Sequence, residues 1–173
     1  MKKQNVGKEF ESCINECLNR ADLNVSFDRL PDPLGGLSGV RNICDFTCYK
    51  YPFKYYLECK CTYDNTLNFK SDITADQWEG LTKKSKLYGC LAGFCVWFIS
   101  YDTTIFVPIQ EMQKLRDSGK KSLSINDVDN TKLKYFDITG KKKRKYFDYD
   151  TEPFLCNLEK FCKDYWNIIN EVN

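Results

Sequence analysis

The chain has 173 residues, of which 42% are hydrophobic and 29% charged, and its formal net charge is +2. This composition excludes wholesale disorder and a strongly basic coat protein, and no apolar run reaches the length of a membrane span. The length suits one domain over residues 1–173, with a catalytic core at about 5–128 and a C-terminal extension. Because Met1–Asn5 leads into charged sequence without the apolar stretch of a secretory signal, we expect a cytoplasmic protein.

Histidine is absent and cysteine is frequent, with ten residues. The absence of histidine removes His-based acid-base catalysis and any Ser/His or Cys/His nucleophile pair. No cysteine pair has the CxxC spacing of a zinc site, so the pattern argues against zinc and favours buried free thiols. The chemistry of this chain must therefore come from carboxylates, lysine, tyrosine or a metal ion.

The first elements of the chain are a helix and an edge strand. Apolar residues recur at helical spacing from about 5 to 20, with Glu11 beside the apolar stripe, where it borders the core or is solvated. Alternation over residues 23–29 predicts an edge strand, and a Pro/Gly loop follows it. Arg29 and Arg41 stand at the two ends of this loop. They are candidates for binding substrate phosphates, the alternative being ordinary surface arginines.

A β-hairpin is predicted next, from a strand at residues 43–48, a turn at 50–53 and a strand at 55–60. If the turn is those four residues, paired positions sum to 103 and Asp45 lies directly opposite Glu58, with Ile43 opposite Lys60. Glu58 and Lys60 are two residues apart and share one face. On the other face the hairpin carries apolar side chains, namely Cys44, Phe46, Leu57, Cys59 and Cys61.

Two carboxylates that face each other in a sheet repel, so this pair predicts a positive charge between them. Mg²⁺ prefers oxygen ligands, and two carboxylates with waters and a phosphate oxygen form an ordinary site for phosphoryl chemistry, in which Mn²⁺ is expected to substitute. Asp45 and Glu58 would be the ligands. Lys60 would orient the attacking water or neutralise the transition state. The alternative is a partly exposed hairpin with a solvated Glu58 and Lys60.

Thr74 and Gln77 form a capping box that opens a helix extending to about Leu87. Gln77 thus has a structural explanation of its own. At the end of this helix the basic residues Lys83, Lys84 and Lys86 are either a solvated face or a source of phosphate contacts.

The rest of the chain predicts a buried strand over 90–99, a strand over 103–109, a short helix over 110–117 and a C-terminal helix from 154 to about 172. A strand, a crossover helix and a buried strand imply an α/β fold with a mixed sheet covered by helices.

The order of these motifs resembles the PD-(D/E)xK nuclease superfamily. Over residues 7–128 the chain is more closely similar to the RecU-type Holliday-junction resolvases, especially phage-encoded members. The segments that carry this resemblance are Gly7-Lys8-Glu9-Phe10-Glu11, Asn42-Ile43-Cys44-Asp45-Phe46, Glu58-Cys59-Lys60, Gln77, Gly93-Phe94 and Lys121-Ser122-Leu123-Ser124-Ile125. In place of the protruding stalk of that family, this chain has only the loop from Leu30 to Arg41.

The resemblance implies a restriction-endonuclease-like fold and a homodimer that makes paired nicks in four-way DNA junctions. It implies that Asp45 and Glu58 bind Mg²⁺, that Lys60 positions the water, and that Glu11 and Gln77 support the site. Two alternatives stay open: a restriction- or repair-type nuclease that acts on duplex or other branched DNA, and a catalytically silent DNA-binding module with the same fold.

Overall fold

The computed structural model describes residues 6–21, 24–30, 42–130 and 133–166. The helices are α1 (Val6–Asn19), α2 (Ala75–Lys84), α3 (Ile109–Asp117), α4 (Ile125–Asn130) and α5 (Thr151–Trp166). The strands are β1 (Val25–Arg29), β2 (Phe46–Lys50), β3 (Phe53–Thr62), β4 (Thr66–Asn68), β5 (Cys90–Phe98), β6 (Thr103–Pro108), β7 (Ser122–Ser124), β8 (Phe136–Asp137), β9 (Gly140–Lys142) and β10 (Phe147–Tyr149).

Six strands form the central sheet in the order β1-β2-β3-β5-β6-β8. β3 and β5 are parallel and joined by a crossover that contains α2, whereas the other neighbours are antiparallel. The sheet is therefore mixed, as the sequence predicts, and β1 lies at its edge. Two small two-stranded sheets, β4 with β7 and β9 with β10, accompany it.

Both faces of the sheet are covered, which explains why every residue of β5 is buried. α1 and α5 pack on one face and α2 and α3 on the other, giving two apolar clusters separated by the sheet. The first includes Phe10, Ile14, Leu57, Cys59, Phe154 and Leu158. The second includes Tyr56, Trp78, Leu81, Phe94, Met112 and Leu115.

The predicted hairpin register is confirmed over β2 and β3. Lys50 pairs with Phe53 and Phe46 pairs with Leu57, so paired positions sum to 103. The regular pairs end there, and Asp45 is not a ladder position opposite Glu58. Instead, the Asp45 N–H donates to the Leu57 carbonyl at 3.1 Å. The prediction of a strand from residue 43, which set Ile43 opposite Lys60, is therefore wrong by three residues at its start.

The irregular backbone before β2 also changes the position of Cys44. Its side chain is buried in the cluster that contains Tyr56 and Trp78, on the side opposite to Phe46 and Cys59. The prediction that Cys44 shares a face with those residues is wrong, because strand alternation begins only at Phe46.

The remaining predicted elements are present and differ from the predictions only at their ends. α2 ends at Lys84 with Ser85 as its C-cap, before the predicted Leu87. α5 begins at Thr151, earlier than predicted. The predicted helix beyond residue 166 and the loop at 31–41 lie outside the described residues. All ten cysteines are free and seven are buried, which confirms the prediction of mostly buried thiols. None of the helices in the described ranges is long and apolar enough to cross a bilayer.

Candidate active site

Glu58 is a buried carboxylate in the middle of β3, with 3% of its surface exposed. Strand alternation directs Glu58 and Lys60 to the same face, and the Lys60 Nζ lies 3.0 Å from Glu58 Oε1. The predicted proximity of this acid and this lysine is thus observed. A buried charge of this kind needs compensation, because removing a carboxylate from water is costly.

Gln77 connects α2 to the same carboxylate. Its backbone N–H donates to the Thr74 hydroxyl at 3.2 Å, and its Oε1 accepts from the Thr74 N–H at 3.1 Å, so the predicted capping box is present. The remaining polar group of the side chain, Nε2, donates to Glu58 Oε1. One side chain therefore caps the helix and holds Glu58.

The two donors leave the Glu58 carboxylate asymmetric. Lys60 and Gln77 both contact Oε1. No hydrogen-bond donor from the described part of the chain contacts Oε2. One oxygen is thus neutralised by the protein, and the other has the electron pairs that a cation or a donor from a ligand requires.

Asp45 is tied to the strand that carries Glu58 and Lys60. Its Oδ2 accepts a hydrogen bond from the Cys59 N–H at 2.7 Å. That amide points toward β2, so a continued ladder would have paired it with the main chain of the neighbouring strand. The Asp45 carboxylate accepts this hydrogen bond instead of a main-chain carbonyl. The regular ladder therefore ends at Asp45, which lies beside Glu58.

The electrostatic effect of this arrangement is seen in Glu58. Burial is the main cause that raises its pKa to about 8, and the negative charge of Asp45 raises it too, whereas Lys60 opposes the shift. Glu11 adds a smaller effect in the same direction as Asp45. Asp45 and Glu11 are therefore close enough to Glu58 for their negative charges to make its ionisation less favourable.

Glu11 on α1 forms an ion pair with Arg29 at the end of β1. Arg29 Nη2 lies 2.9 Å from Glu11 Oε2, and about half of the arginine side chain is exposed. The sequence predicts separate roles for them, Glu11 as an acid that supports the site and Arg29 as a residue that binds substrate phosphate. Their pairing depends on how α1 packs near the sheet edge, which local sequence does not indicate.

The other predicted DNA-binding residues lie at the far end of α2 or outside the described residues. Lys83 and Lys84 occupy the last turn of α2 and Lys86 follows it, with Lys83 and Lys86 exposed. Lys83 and Lys84 are about 10 Å along the helix from Gln77. Arg41 belongs to the range that is not described.

Two further residues near this site are not indicated by the sequence motifs. Lys54 and Tyr56 occupy β3 on the same face as Glu58, and the Lys54 and Lys84 ammonium groups both lie against the Tyr56 ring, at 5.7 and 5.4 Å from its centre. Their even spacing from Glu58 along β3 predicts that Lys54 and Tyr56 share its face. That spacing does not indicate that Lys84 of α2 reaches the same ring.

The donor set fits a hard divalent cation. The described residues contain no cluster of three or more His, Cys, Asp or Glu side chains suited to a metal. Mg²⁺, however, is commonly held by one or two carboxylates with waters and substrate phosphates completing its shell. Asp45 and the Oε2 of Glu58 supply such a pair. Burial and the charge of Asp45 make ionisation of Glu58 unfavourable, and a bound cation would favour the ionised form.

Comparison with known proteins gives a partial structural likeness. No protein-family model matches the chain, and no curated protein matches it. A solved structure of Hjc, a Holliday junction resolvase from the archaeal hyperthermophile Archaeoglobus fulgidus, is similar over 61% of this chain and 78% of that one, with 21% identity and a TM-score of 0.45. The function proposed below therefore depends on the residues of this chain.

Proposed function

We propose that this chain is a Mg²⁺-dependent endonuclease that hydrolyses phosphodiester bonds in branched DNA, with four-way junctions as its preferred substrate. The observation that carries the proposal is the buried Glu58. Its Oε1 contacts Lys60 and Gln77, its Oε2 has no donor among the described residues, and Asp45 lies beside it. The preference for junctions is supported by the sequence resemblance to RecU-type resolvases.

In this proposal Asp45 and Glu58 hold the cation, which would supply charge neutralisation at the scissile phosphate and a more acidic bound water. Lys60 has its ammonium group at the Glu58 carboxylate, where it can orient a water molecule or stabilise negative charge on the phosphoryl oxygens. Gln77 is a positioning residue, since it touches Glu58 and is itself held by the cap of α2. The negative charge of Glu11 raises the pKa of Glu58 and so supports the site from a distance.

The substrate preference is tested with a labelled four-way junction and a linear duplex of the same arm sequence, each incubated with and without Mg²⁺. We expect paired incisions in the junction that require Mg²⁺ and are lost in Asp45→Ala. Equal cutting of both substrates would retain the nuclease and refute the junction preference. Undiminished cutting by Asp45→Ala, or no cutting by the wild type on either substrate, would refute the catalytic proposal.

We also propose a homodimer. A four-way junction has two-fold symmetry, so two sites related by a two-fold axis would cut opposing strands symmetrically. Light scattering of the protein with and without the junction tests this, and a monomer in both samples would contradict it. Junction cleavage by a monomer would give nicks that appear independently on the two strands.

A further inference from the structure

The face of β3 that carries the candidate active site continues beyond it. Side chains two residues apart share a face, so Lys54 and Tyr56 extend the row that Glu58 and Lys60 begin. α2 runs along this row in the direction opposite to β3, because Gln77 in its first turn contacts Glu58 and Lys84 at its end lies against Tyr56. Lys54 is about 13 Å from Glu58 along the strand.

Two ammonium groups converge on the Tyr56 ring. Both nitrogens are within 5.7 Å of the same ring centre, so they are at most about 11 Å apart. Neither Lys54 nor Lys84 has a carboxylate partner among the described residues. Lysines elsewhere do have one, for instance Lys50 with Glu159 at 2.8 Å. The ring attracts both cations, but it does not neutralise their charge.

An exposed aromatic side chain lies beside this pair. Tyr49 pairs with Lys54 across the hairpin and is 43% exposed. Lysines interspersed with accessible rings are the combination that binds the backbone and stacks the bases of nucleic-acid strands.

We propose that Lys54, Lys84 and the Tyr56 ring between them form a phosphodiester-binding subsite for the DNA strand on one side of the scissile bond. The subsite deepens the proposed function and rests on it. It lies about 13 Å from Glu58 along β3, so it would contact a phosphate a few nucleotides from the scissile bond. Tyr49 flanks the same strand, so the subsite favours a strand whose bases are accessible, as at a branch point.

The first test is the salt dependence of binding to a labelled four-way junction, measured by fluorescence anisotropy in EDTA so that no strand is cut. The test variant is Lys54→Ala/Lys84→Ala. The matched control is Lys141→Ala/Lys160→Ala, which removes two exposed lysines from β9 and α5, elements outside the face that carries Glu58. Each lost phosphate contact lowers the slope of log K against log salt by about 0.9. We expect a loss of nearly two in the test variant and a smaller loss in the control.

A second test locates the contact. A neutral methylphosphonate linkage is moved one position at a time along the strand, and affinity is measured for the wild type and the double variant. The subsite predicts a wild-type loss of affinity for linkages a few nucleotides from the cut on one side only, and no such loss in the double variant.

The outcomes separate the subsite from the function. If the wild type cuts the junction and the two double variants have equal salt slopes, the subsite is refuted and the nuclease stands. If the wild type neither binds nor cuts nucleic acid, both are refuted. Thermal unfolding of each variant verifies that the fold is retained, as expected for substitutions of solvent-accessible lysines.

Discussion

Asp45 accepts a hydrogen bond from the backbone amide of Cys59, the residue between Glu58 and Lys60. This bond joins the aspartate to the main chain of the Glu-x-Lys motif, so the position of one acid relative to the other does not depend on flexible side-chain contacts alone. It also gives a role to Cys59, the middle residue of the Glu-x-Lys motif. The Cys59 side chain is buried in the cluster that α1 and α5 cover, while its N–H points within the sheet and binds Asp45.

Gln77 allows its two roles to be separated by mutation. Thr74→Ala removes the helix cap alone, and we expect a loss of about 1 kcal/mol in the free energy of unfolding with metal affinity retained. Gln77→Ala removes half of the capping box and also the donor to Glu58. We expect a comparable loss of stability and a loss of roughly 10- to 100-fold in Mn²⁺ affinity by calorimetric titration. Equal metal affinity in the two variants would assign Gln77 to the cap only.

Glu58 predicts an unusual pH dependence of the metal-free protein. Its pKa is raised to about 8 in the folded state from an ordinary value of 4.5, so between these values the folded chain keeps a proton that the unfolded chain has lost. The stabilisation is complete below about pH 4.5, decreases as the pH rises and is lost above about pH 8.

Urea unfolding of the wild type and Glu58→Gln between pH 5 and 9 measures this effect under reducing conditions. Because glutamine does not ionise, we expect the variant to gain on the wild type by on the order of a few kcal/mol as the pH rises. Glu152→Gln, an exposed site on α5, is the control. Parallel curves for the wild type and Glu58→Gln would contradict the raised pKa.

Glu11 and Arg29 form an accessible ion pair, for which we expect a small stabilising effect of about 0 to 1 kcal/mol. Glu11→Gln should therefore fold normally. If Glu11 supports the site, this variant cuts the junction more slowly at unchanged stability, which single-turnover cleavage and urea unfolding measure together. An unchanged cleavage rate would mean that Glu11 does not support the site and serves only as the ion-pair partner of Arg29.

Gly93 is the β5 residue next to Leu57, and the sequence resemblance includes it without a physical reason. A Cβ at this position would lie 2.4 Å from the Val107 carbonyl oxygen and 2.9 Å from Pro108 Cα. These are backbone atoms of β6, so they cannot move aside cheaply. We expect Gly93→Ala to lose about 1 to 3 kcal/mol of stability by urea unfolding. Unchanged stability would mean that the two strands separate readily.

Local sequence predicts much of the site. Period-two alternation puts Glu58 and Lys60 on one face, and the turn length determines the register that Phe46 and Leu57 confirm. The register does not predict where the ladder stops. That point depends on the Asp45 carboxylate competing for the Cys59 amide, which a count of paired positions does not include.

Other features require contacts between elements that are distant in sequence. The capping box predicts a structural role for Gln77, but its bond to Glu58 depends on how α2 crosses the sheet. The contact of Lys54 and Lys84 with the Tyr56 ring also depends on how α2 packs on β3. Helix packing of this kind is determined by the whole apolar cluster, so short motifs do not reveal it.

Mg²⁺-dependent incision of a four-way junction by Glu58→Gln, measured beside the wild type and Glu152→Gln, tests the central claim most directly. Glutamine preserves the size of the side chain and removes its negative charge. We predict that the wild type and Glu152→Gln cut the junction at similar rates, and that Glu58→Gln binds it but cuts it at least 100-fold more slowly. Cutting by Glu58→Gln at the wild-type rate would contradict the assignment of this carboxylate as the centre of the active site.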